Sequence, residues 1–181
     1  MISKLQNLAN GRLVLSLFII TIVVYFTIIF YSIPSVTILA PEMKLFDMSP
    51  GGYDLFYAEK LLNSIGPIGR ENYLKLQLPL DFIYPGLFAV TYTLMLFWLF
   101  GKRFDEKSKV FLLTLIPVLA GLFDYFENIG IIFMLNSFPN IDLLTVQMSS
   151  LFSIAKSAFT IGFYICLLFG LLMLIVRQKR D

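Results

Sequence analysis

The 181-residue chain contains no histidine and a single cysteine, Cys166. Without histidine, haem ligation by imidazole, the usual zinc-hydrolase sites and Ser-His or Cys-His nucleophile pairs are excluded. A single cysteine excludes an intramolecular disulfide, a Cys-x-x-Cys redox motif and a thiolate metal site within one chain. We therefore expect no metal site and no cofactor.

Charged residues are also scarce, at 14% of the chain. The sequence has no P-loop, no G-x-G-x-x-G and no G-x-S-x-G motif, which excludes the commonest nucleotide-binding and hydrolase sites of soluble enzymes. The formal net charge is +2, and most basic residues lie beside apolar runs. We therefore expect no nucleic-acid partner.

Apolar residues are abundant instead, at 58% of the chain, and the mean hydropathy is +0.82. Each of four apolar runs reaches the ~20 residues that a helix needs to cross ~30 Å of hydrocarbon. Helices are expected because lipid offers no hydrogen-bond partner to an open strand edge. The sequence predicts an all-α polytopic membrane protein, a four-transmembrane-helix bundle forming one domain over residues 1–181. The predicted spans are about 13–33, 80–100, 110–135 and 148–176.

The distribution of lysine and arginine around these runs predicts the orientation of the chain. One side carries Lys4, Arg12, Lys102, Arg103, Lys107, Lys109, Arg177, Lys179 and Arg180. The other side carries Lys44, Lys60, Arg70 and Lys75, all in the long segment 34–79. Since the basic side of a membrane protein is usually cytoplasmic, we predict a multi-pass protein of the cell membrane with both termini in the cytoplasm.

The segment 34–79 is the only sizeable part outside the apolar runs. Prolines, beginning with Pro34, are expected to break its first part. Within it, residues 53–65 place apolar side chains on one face at intervals of four, which predicts a short amphipathic helix on the membrane interface or over the bundle. Leucines then alternate along 74–80, as in a strand, but a lone strand has no partner here. A helical or extended lead-in to the second span is therefore expected.

Two prolines lie in the predicted spans. Pro85 is close to the expected start of the second span, where the first turn of a helix tolerates proline. Pro117 lies well inside the third predicted span, so we expect it to kink that helix by removing a backbone hydrogen bond.

The third run contains the stretch GLFDYFENIG, residues 121–130, with two acids and an amide inside a membrane span. Asp124, Glu127 and Asn128 are spaced i, i+3, i+4 and so share one helical face. A carboxylate facing lipid would be very costly, so this face must point into the bundle. Gly121 and Gly130 lie along it and would let neighbouring helices approach closely.

The fourth run contains one buried base, Lys156. Glu127 and Lys156 are each eight residues from the end of their predicted span, which places both roughly 12 Å below the surface. Two charged faces at equal depth are expected to pair, because pairing lowers the cost of burying either charge. Lys156 should then be held by Glu127 or Asp124.

Asp81 and Tyr84 lie higher, near the mouth of the second span, where Arg70 is close enough in sequence to reach Asp81. A cluster of these groups carries one more acid than base, and such a cluster tends to hold a proton, a cation or an amine. The predicted ligand-binding site or buried polar network comprises Asp81, Tyr84, Asp124, Glu127, Asn128, Lys156 and Thr160.

Three functions remain open at this stage. The first is binding of a small molecule or lipid in a polar cavity in the outer half of the bundle. Enzymatic action there, such as an isomerase that uses a carboxylate as proton donor, stays open. The second is a proton- or cation-coupled carrier or channel, which would require a homo-oligomer because four spans make a thin wall. The third is a structural or assembly factor in which the charges only join helices. The partners expected are the lipid bilayer and a small-molecule or lipid ligand.

The ordered set GRENYLKLQLPLDFIYP, then DYFEN, then a lysine in the last span resembles a group of uncharacterised small prokaryotic four-span integral membrane proteins. The likeness covers about residues 66–160 and implies no activity. A weaker, architectural likeness is to the EXPERA group, which includes sterol isomerases and the sigma-2 receptor. Those proteins are similar in length, in four spans with a long first luminal loop, in acids facing a buried cavity and in a basic tail. Their acidic positions do not align with this chain by motif, so no residue role is carried across.

Overall fold

The computed structural model describes residues 9–175. Four helices in it are long and apolar enough to cross a membrane: Gly11–Thr37, Gly66–Phe100, Lys109–Ser137 and Leu143–Ile175. A fifth helix, Leu55–Ser64, lies between the first two spans and is called the loop helix below. Residues 9–175 form no strand. The predicted all-α four-helix bundle is confirmed, and the chain is a multi-pass integral membrane protein.

The spans pack in chain order. The first packs on the second, the second on the third and the third on the fourth, with the largest contact between the last two. The first and fourth spans make almost no direct contact. A gap therefore runs between them along one side of the bundle.

The two ends of the bundle are distinct. At one end Gly11 lies against the Trp98 ring, and the Arg103 guanidinium donates a hydrogen bond to the Leu174 carbonyl at 3.1 Å. We call this the terminal end, because it holds both termini of the described chain. The long loop folds over the opposite end, called the loop end. The cytoplasmic location of the termini stays a prediction, and the basic residues beyond position 175 lie outside the described part of the chain.

The first two spans are not uniform α-helices. Near the loop end each contains one five-residue π-helical segment. The first span consists of Gly11–Thr27, the π segment Ile28–Ser32 and Ile33–Thr37, and the second of Gly66–Asn72, the π segment Tyr73–Gln77 and Leu78–Phe100. The two π segments face each other, since the Ser32 hydroxyl donates to the Gln77 side-chain carbonyl at 2.5 Å. Such segments are frequently found at functional sites.

The alternating leucines of residues 74–80 lie in this helical second span. The helical form of the predicted lead-in is therefore the one observed, and the span begins at Gly66, well before Leu80. Pro34 does not break the first span as expected: the helix continues through it from the π segment to Thr37.

The structure places the two membrane prolines differently from what was predicted. Pro85 lies inside the helix Leu78–Phe100, because that span begins earlier than the hydrophobic pattern suggests. Pro117 occupies the first turn of Ile116–Ser137, because the residues before it form a 3-10 helix. The proline that removes an interior hydrogen bond is therefore Pro85.

Glycines set the close approach of the third span to its neighbours, as predicted. A Cβ atom on Gly121 would lie 2.7 Å from the Pro85 carbonyl oxygen. A Cβ atom on Gly130 would lie 2.6 Å from the Ser149 Cβ. The face that carries the acids is thus pressed between the second and fourth spans.

Aromatic side chains fill the terminal half of the bundle. The Tyr92 ring centroid lies 4.7 Å from that of Phe88 and 4.6 Å from that of Phe163. Further towards the terminal end, Phe97 and Phe111 stack at 5.5 Å. This aromatic cluster is closely packed, and the polar side chains of the site lie on its loop-end side.

Candidate functional site

A cavity of about 470 Å³ lies in the loop-end half of the bundle, in the gap between the first and fourth spans. Its charged and polar wall is formed by Asp47, Asp81, Tyr84, Asp124, Lys156, Ser157 and Thr160. Much of the rest is apolar and includes Ile28, Ile29, Ile33, Phe88, Ala120 and Ile161. The cavity is therefore charged on one side and apolar on the other.

The structure divides the seven predicted site residues into two groups. Five line the cavity: Asp81, Tyr84, Asp124, Lys156 and Thr160. The other two, Glu127 and Asn128, are fully buried behind its wall. These two residues can orient the cavity wall but cannot touch a ligand in the cavity.

Lys156 joins the third and fourth spans through two carboxylates. Its Nζ lies 3.2 Å from Asp124 Oδ1 and forms a closer ion pair with Glu127 Oε2. The side chain of Glu127 is 0% exposed, against 10% for Asp124 and 15% for Lys156. The equal depth of the two charged faces predicted that Lys156 would pair with Glu127 or Asp124, and in the structure it pairs with both.

Pro85 and Asn128 together fix the backbone beside Asp81. Because proline has no N–H, the Asp81 carbonyl four residues earlier loses its helical donor. Asn128 of the third span supplies the donor instead, with its Nδ2 at 2.8 Å from that carbonyl oxygen. The backbone that carries the Asp81 side chain is thereby held from a neighbouring span.

Replacing Asn128 by leucine is expected to lower the free energy of unfolding by about 1–3 kcal/mol, because it leaves the buried Asp81 carbonyl without a donor. The same substitution in a Pro85→Ala background should have a clearly smaller effect, since residue 85 then donates to that carbonyl. Thermal or denaturant unfolding of the four proteins in detergent measures this coupling. Equal effects of Asn128→Leu in the two backgrounds would contradict it.

Asp47, which the sequence analysis did not select, belongs to the cavity wall. Its two carboxylate oxygens accept hydrogen bonds from the Tyr73 hydroxyl at 2.5 Å and from Gln77 Nε2 at 2.7 Å. Both donors lie in the π segment of the second span, whose presence hydrophobic periodicity does not predict. The spacing of prolines around Asp47 indicated only a connecting loop, so no local signal identified it.

Arg70 was expected to reach Asp81, but it does not. Its guanidinium donates to the Leu62 carbonyl at 2.7 Å and lies over the Phe138 ring at 4.4 Å. With Asp47 added and Arg70 removed, four carboxyl groups surround the single ammonium of Lys156. The excess of acid is larger than the sequence predicted, and it favours a bound proton or cation.

Within residues 9–175, three buried acceptor oxygens in or behind the wall have neither a hydrogen-bond partner nor an ion pair. They are Asp81 Oδ2, Glu127 Oε1 and Asn128 Oδ1, and all three are buried. Of these residues, only Asp81 lines the cavity. A buried acceptor without a donor is unfavourable, so Asp81 is the place where a ligand donor would stabilise the site most.

Loop residues 46–53, called the cap, close the loop end of the cavity. The Ser153 hydroxyl of the fourth span donates to the Ser49 carbonyl of the cap at 3.0 Å. The Tyr53 N–H donates to Ser150 Oγ at 2.8 Å, and the Tyr53 hydroxyl lies 2.7 Å from Ser149 Oγ. Burial raises the pKa of the Tyr53 hydroxyl above its ordinary value, although the Ser149 bond opposes the shift. This tyrosine therefore keeps its proton at neutral pH.

Comparison with family models, curated proteins and solved structures gave no match for this chain. The resemblances described above therefore stay predictions, and any function must be argued from the site itself. Within residues 9–175, the acidic and cysteine side chains form no group of three or more with the spacing of a metal site.

Proposed function

We propose that the protein binds, in this cavity, a small molecule or lipid with a cationic head group. The observation that carries the proposal is Asp81, whose side chain is 6% exposed, lines the cavity and has a buried oxygen without a donor. An ammonium group beside Asp81 would supply both a hydrogen-bond donor and the missing positive charge.

The shape and composition of the cavity support this proposal. A volume of about 470 Å³ falls within the usual range for small-molecule sites, which are mostly apolar with a few oriented polar groups. Lys156 is already neutralised by Asp124 and Glu127, so it serves as a counter-ion within the wall. Asp81 and Asp47 are then left to meet the ligand.

The aromatic cluster favours a binding site rather than a path that conducts protons or ions across the bundle. The acids that line the cavity lie in the loop-end half, and Phe88, Tyr92 and Phe163 pack against one another beneath them. A proton or ion crossing the bundle would have to pass this aromatic barrier, where the spans carry no charged side chain. The distribution of basic residues favours a cavity near the outer face of the cell membrane.

Dodecylamine is a suitable probe, and its binding is expected to depend on Asp81. Asp81→Asn should weaken the affinity roughly 10- to 100-fold, because a charge-assisted hydrogen bond is lost from a buried position. Titration of the purified protein in neutral detergent, followed by the shift in melting temperature, measures this change.

Two controls make that experiment specific. Glu42→Gln removes one negative charge from an exposed position in the long loop between the first two spans and should leave the affinity unchanged. Dodecanoate, which has the same chain and the opposite charge, should give no stabilisation. If dodecanoate stabilises the protein as well as dodecylamine, or if Asp81→Asn binds the amine normally, the proposed function is wrong.

A further inference from the structure

One boundary of the cavity is held in place by hydrogen bonds. At the loop end, Asp47 accepts hydrogen bonds from Tyr73 and Gln77 of the second span. On the opposite side of the cap, Ser49 and Tyr53 are hydrogen-bonded to serines of the fourth span. A ligand arriving from the aqueous phase would have to break several of these bonds to reach the cavity.

The boundary between the first and fourth spans has no such closure. The two spans scarcely touch, and the cavity occupies the gap between them. Three cavity residues at this gap remain largely exposed: Tyr25 by 39%, Ile161 by 61% and Tyr164 by 51%. Side chains that line a cavity and are also exposed mark its rim. Met48 of the cap is 39% exposed as well, so the rim reaches the cap, but the three residues of the first and fourth spans place most of it along the apolar length of the helices. The rim therefore faces the hydrocarbon of a bilayer.

We infer that the ligand is a single-chain amphiphile that enters from the bilayer through the gap between the first and fourth spans. This inference rests on the proposed function and adds the class of ligand and its route. The head group passes the rim and reaches Asp81, while the chain lies against the three isoleucines of the first span that line the cavity, Ile28, Ile29 and Ile33.

The size of the cavity favours one chain over two. If a methylene group occupies about the ~30 Å³ of a water molecule in the liquid, a cavity of about 470 Å³ holds roughly fifteen such groups. That is enough for one alkyl chain and its head group. A two-chain lipid would have to leave much of its hydrocarbon outside the gap.

Kinetics distinguish an entrance from a simple contact. Narrowing an entrance slows association and dissociation together and changes the dissociation constant little, because the bound state is unaltered. Losing a binding contact instead speeds dissociation and weakens affinity. Ile161 is the residue to change, because it lies at the rim and its apolar side chain makes no hydrogen bond to a head group at Asp81.

The experiment measures both rate constants for dodecylamine, by surface plasmon resonance, with the full chain in phosphatidylcholine nanodiscs. Ile161→Trp should slow both rates by about tenfold, and Ile161→Ala should speed both. Ile165→Trp is the matched control, since Ile165 is 63% exposed on the same span and does not line the cavity. Ser153→Ala loosens the cap by removing its bond to the Ser49 carbonyl.

Lateral entry predicts that the two Ile161 variants move the rates in opposite directions, while Ile165→Trp and Ser153→Ala leave them unchanged. If Ser153→Ala speeds both rates and the Ile161 variants do not, the ligand enters through the cap and the inference is wrong, although the proposed function stands. If dodecylamine does not bind the wild-type protein, the proposed function fails and the inference fails with it.

Discussion

Replacing Lys156 by methionine is expected to lower the free energy of unfolding by about 3–5 kcal/mol, because removal of the ammonium group leaves two buried carboxylates unpaired. Asp124 and Glu127 both rely on this one group, and Glu127 is completely removed from solvent. Methionine keeps most of the length and volume of lysine, so the loss comes from charge more than from packing.

Unfolding of the purified protein in mild detergent, followed by circular dichroism, measures this loss. Lys75→Met is the matched control: Lys75 pairs with Glu71 at 2.7 Å, but both side chains are well exposed, so little change is expected. Combining Lys156→Met with Asp124→Asn and Glu127→Gln should recover part of the stability, because no unpaired charge remains. A triple variant no more stable than Lys156→Met would show that unpaired charge is not the cause.

Replacing Gly52 by alanine should destabilise the cap by about 2–4 kcal/mol, because two separate effects add. The backbone φ of Gly52 is +80°, which is unfavourable for a residue with a Cβ atom. That Cβ would also lie 2.5 Å from Ser150 Oγ and 3.0 Å from Ile154 Cδ1. Ser150 would have to turn away, and it would then lose the hydrogen bond from the Tyr53 N–H.

Gly66 separates the two effects. Its φ is +64°, but a Cβ atom there would meet nothing within 4 Å. Gly66→Ala should therefore show only the backbone strain, about 1–2 kcal/mol. Amide hydrogen exchange gives the local readout: exchange at the Tyr53 N–H should increase in Gly52→Ala and stay unchanged in Gly66→Ala. Equal exchange in the two variants would mean that the cap does not depend on this close approach.

The features that could be predicted from the sequence are those set by the membrane. Hydrophobic length determines the four spans, and the cost of placing a charge in lipid determines which way the acidic face points. The same cost allowed Lys156 to be matched with Glu127 and Asp124 by depth alone. Pairwise contacts at equal depth are therefore accessible to sequence reasoning even without a family.

The features that could not be predicted depend on how helices start and on where loops fold. A hydrophobic run does not show that the second helix begins at Gly66, so Pro85 was assigned to a first turn that it does not occupy. Asp47 follows a proline-rich stretch with no periodicity, and its place in the cavity depends on donors that a π segment presents. Both errors arise from tertiary context that local patterns do not contain.

The ion pairs of Lys156 alone would suit a purely structural protein, in which charges only join two helices. Asp81 is what favours a ligand, because it lines the cavity and retains an oxygen without a partner. Glu127 and Asn128 also keep an unpartnered oxygen, but they lie behind the wall, so Asp81 is the residue of the three that a ligand in the cavity can reach. The stability of Lys156 variants and the ligand binding of Asp81 variants therefore test different parts of the account.

The most direct measurement is the distance between a bound amine and the Asp81 carboxyl group in a lipid bilayer. Solid-state NMR of the protein with ¹³C-labelled aspartate carboxyls and ¹⁵N-dodecylamine reports it through dipolar coupling. The account predicts a separation within about 4 Å that is lost in Asp81→Asn. An amine that shows no coupling to any aspartate, or a coupling that persists unchanged in Asp81→Asn, would contradict the central claim.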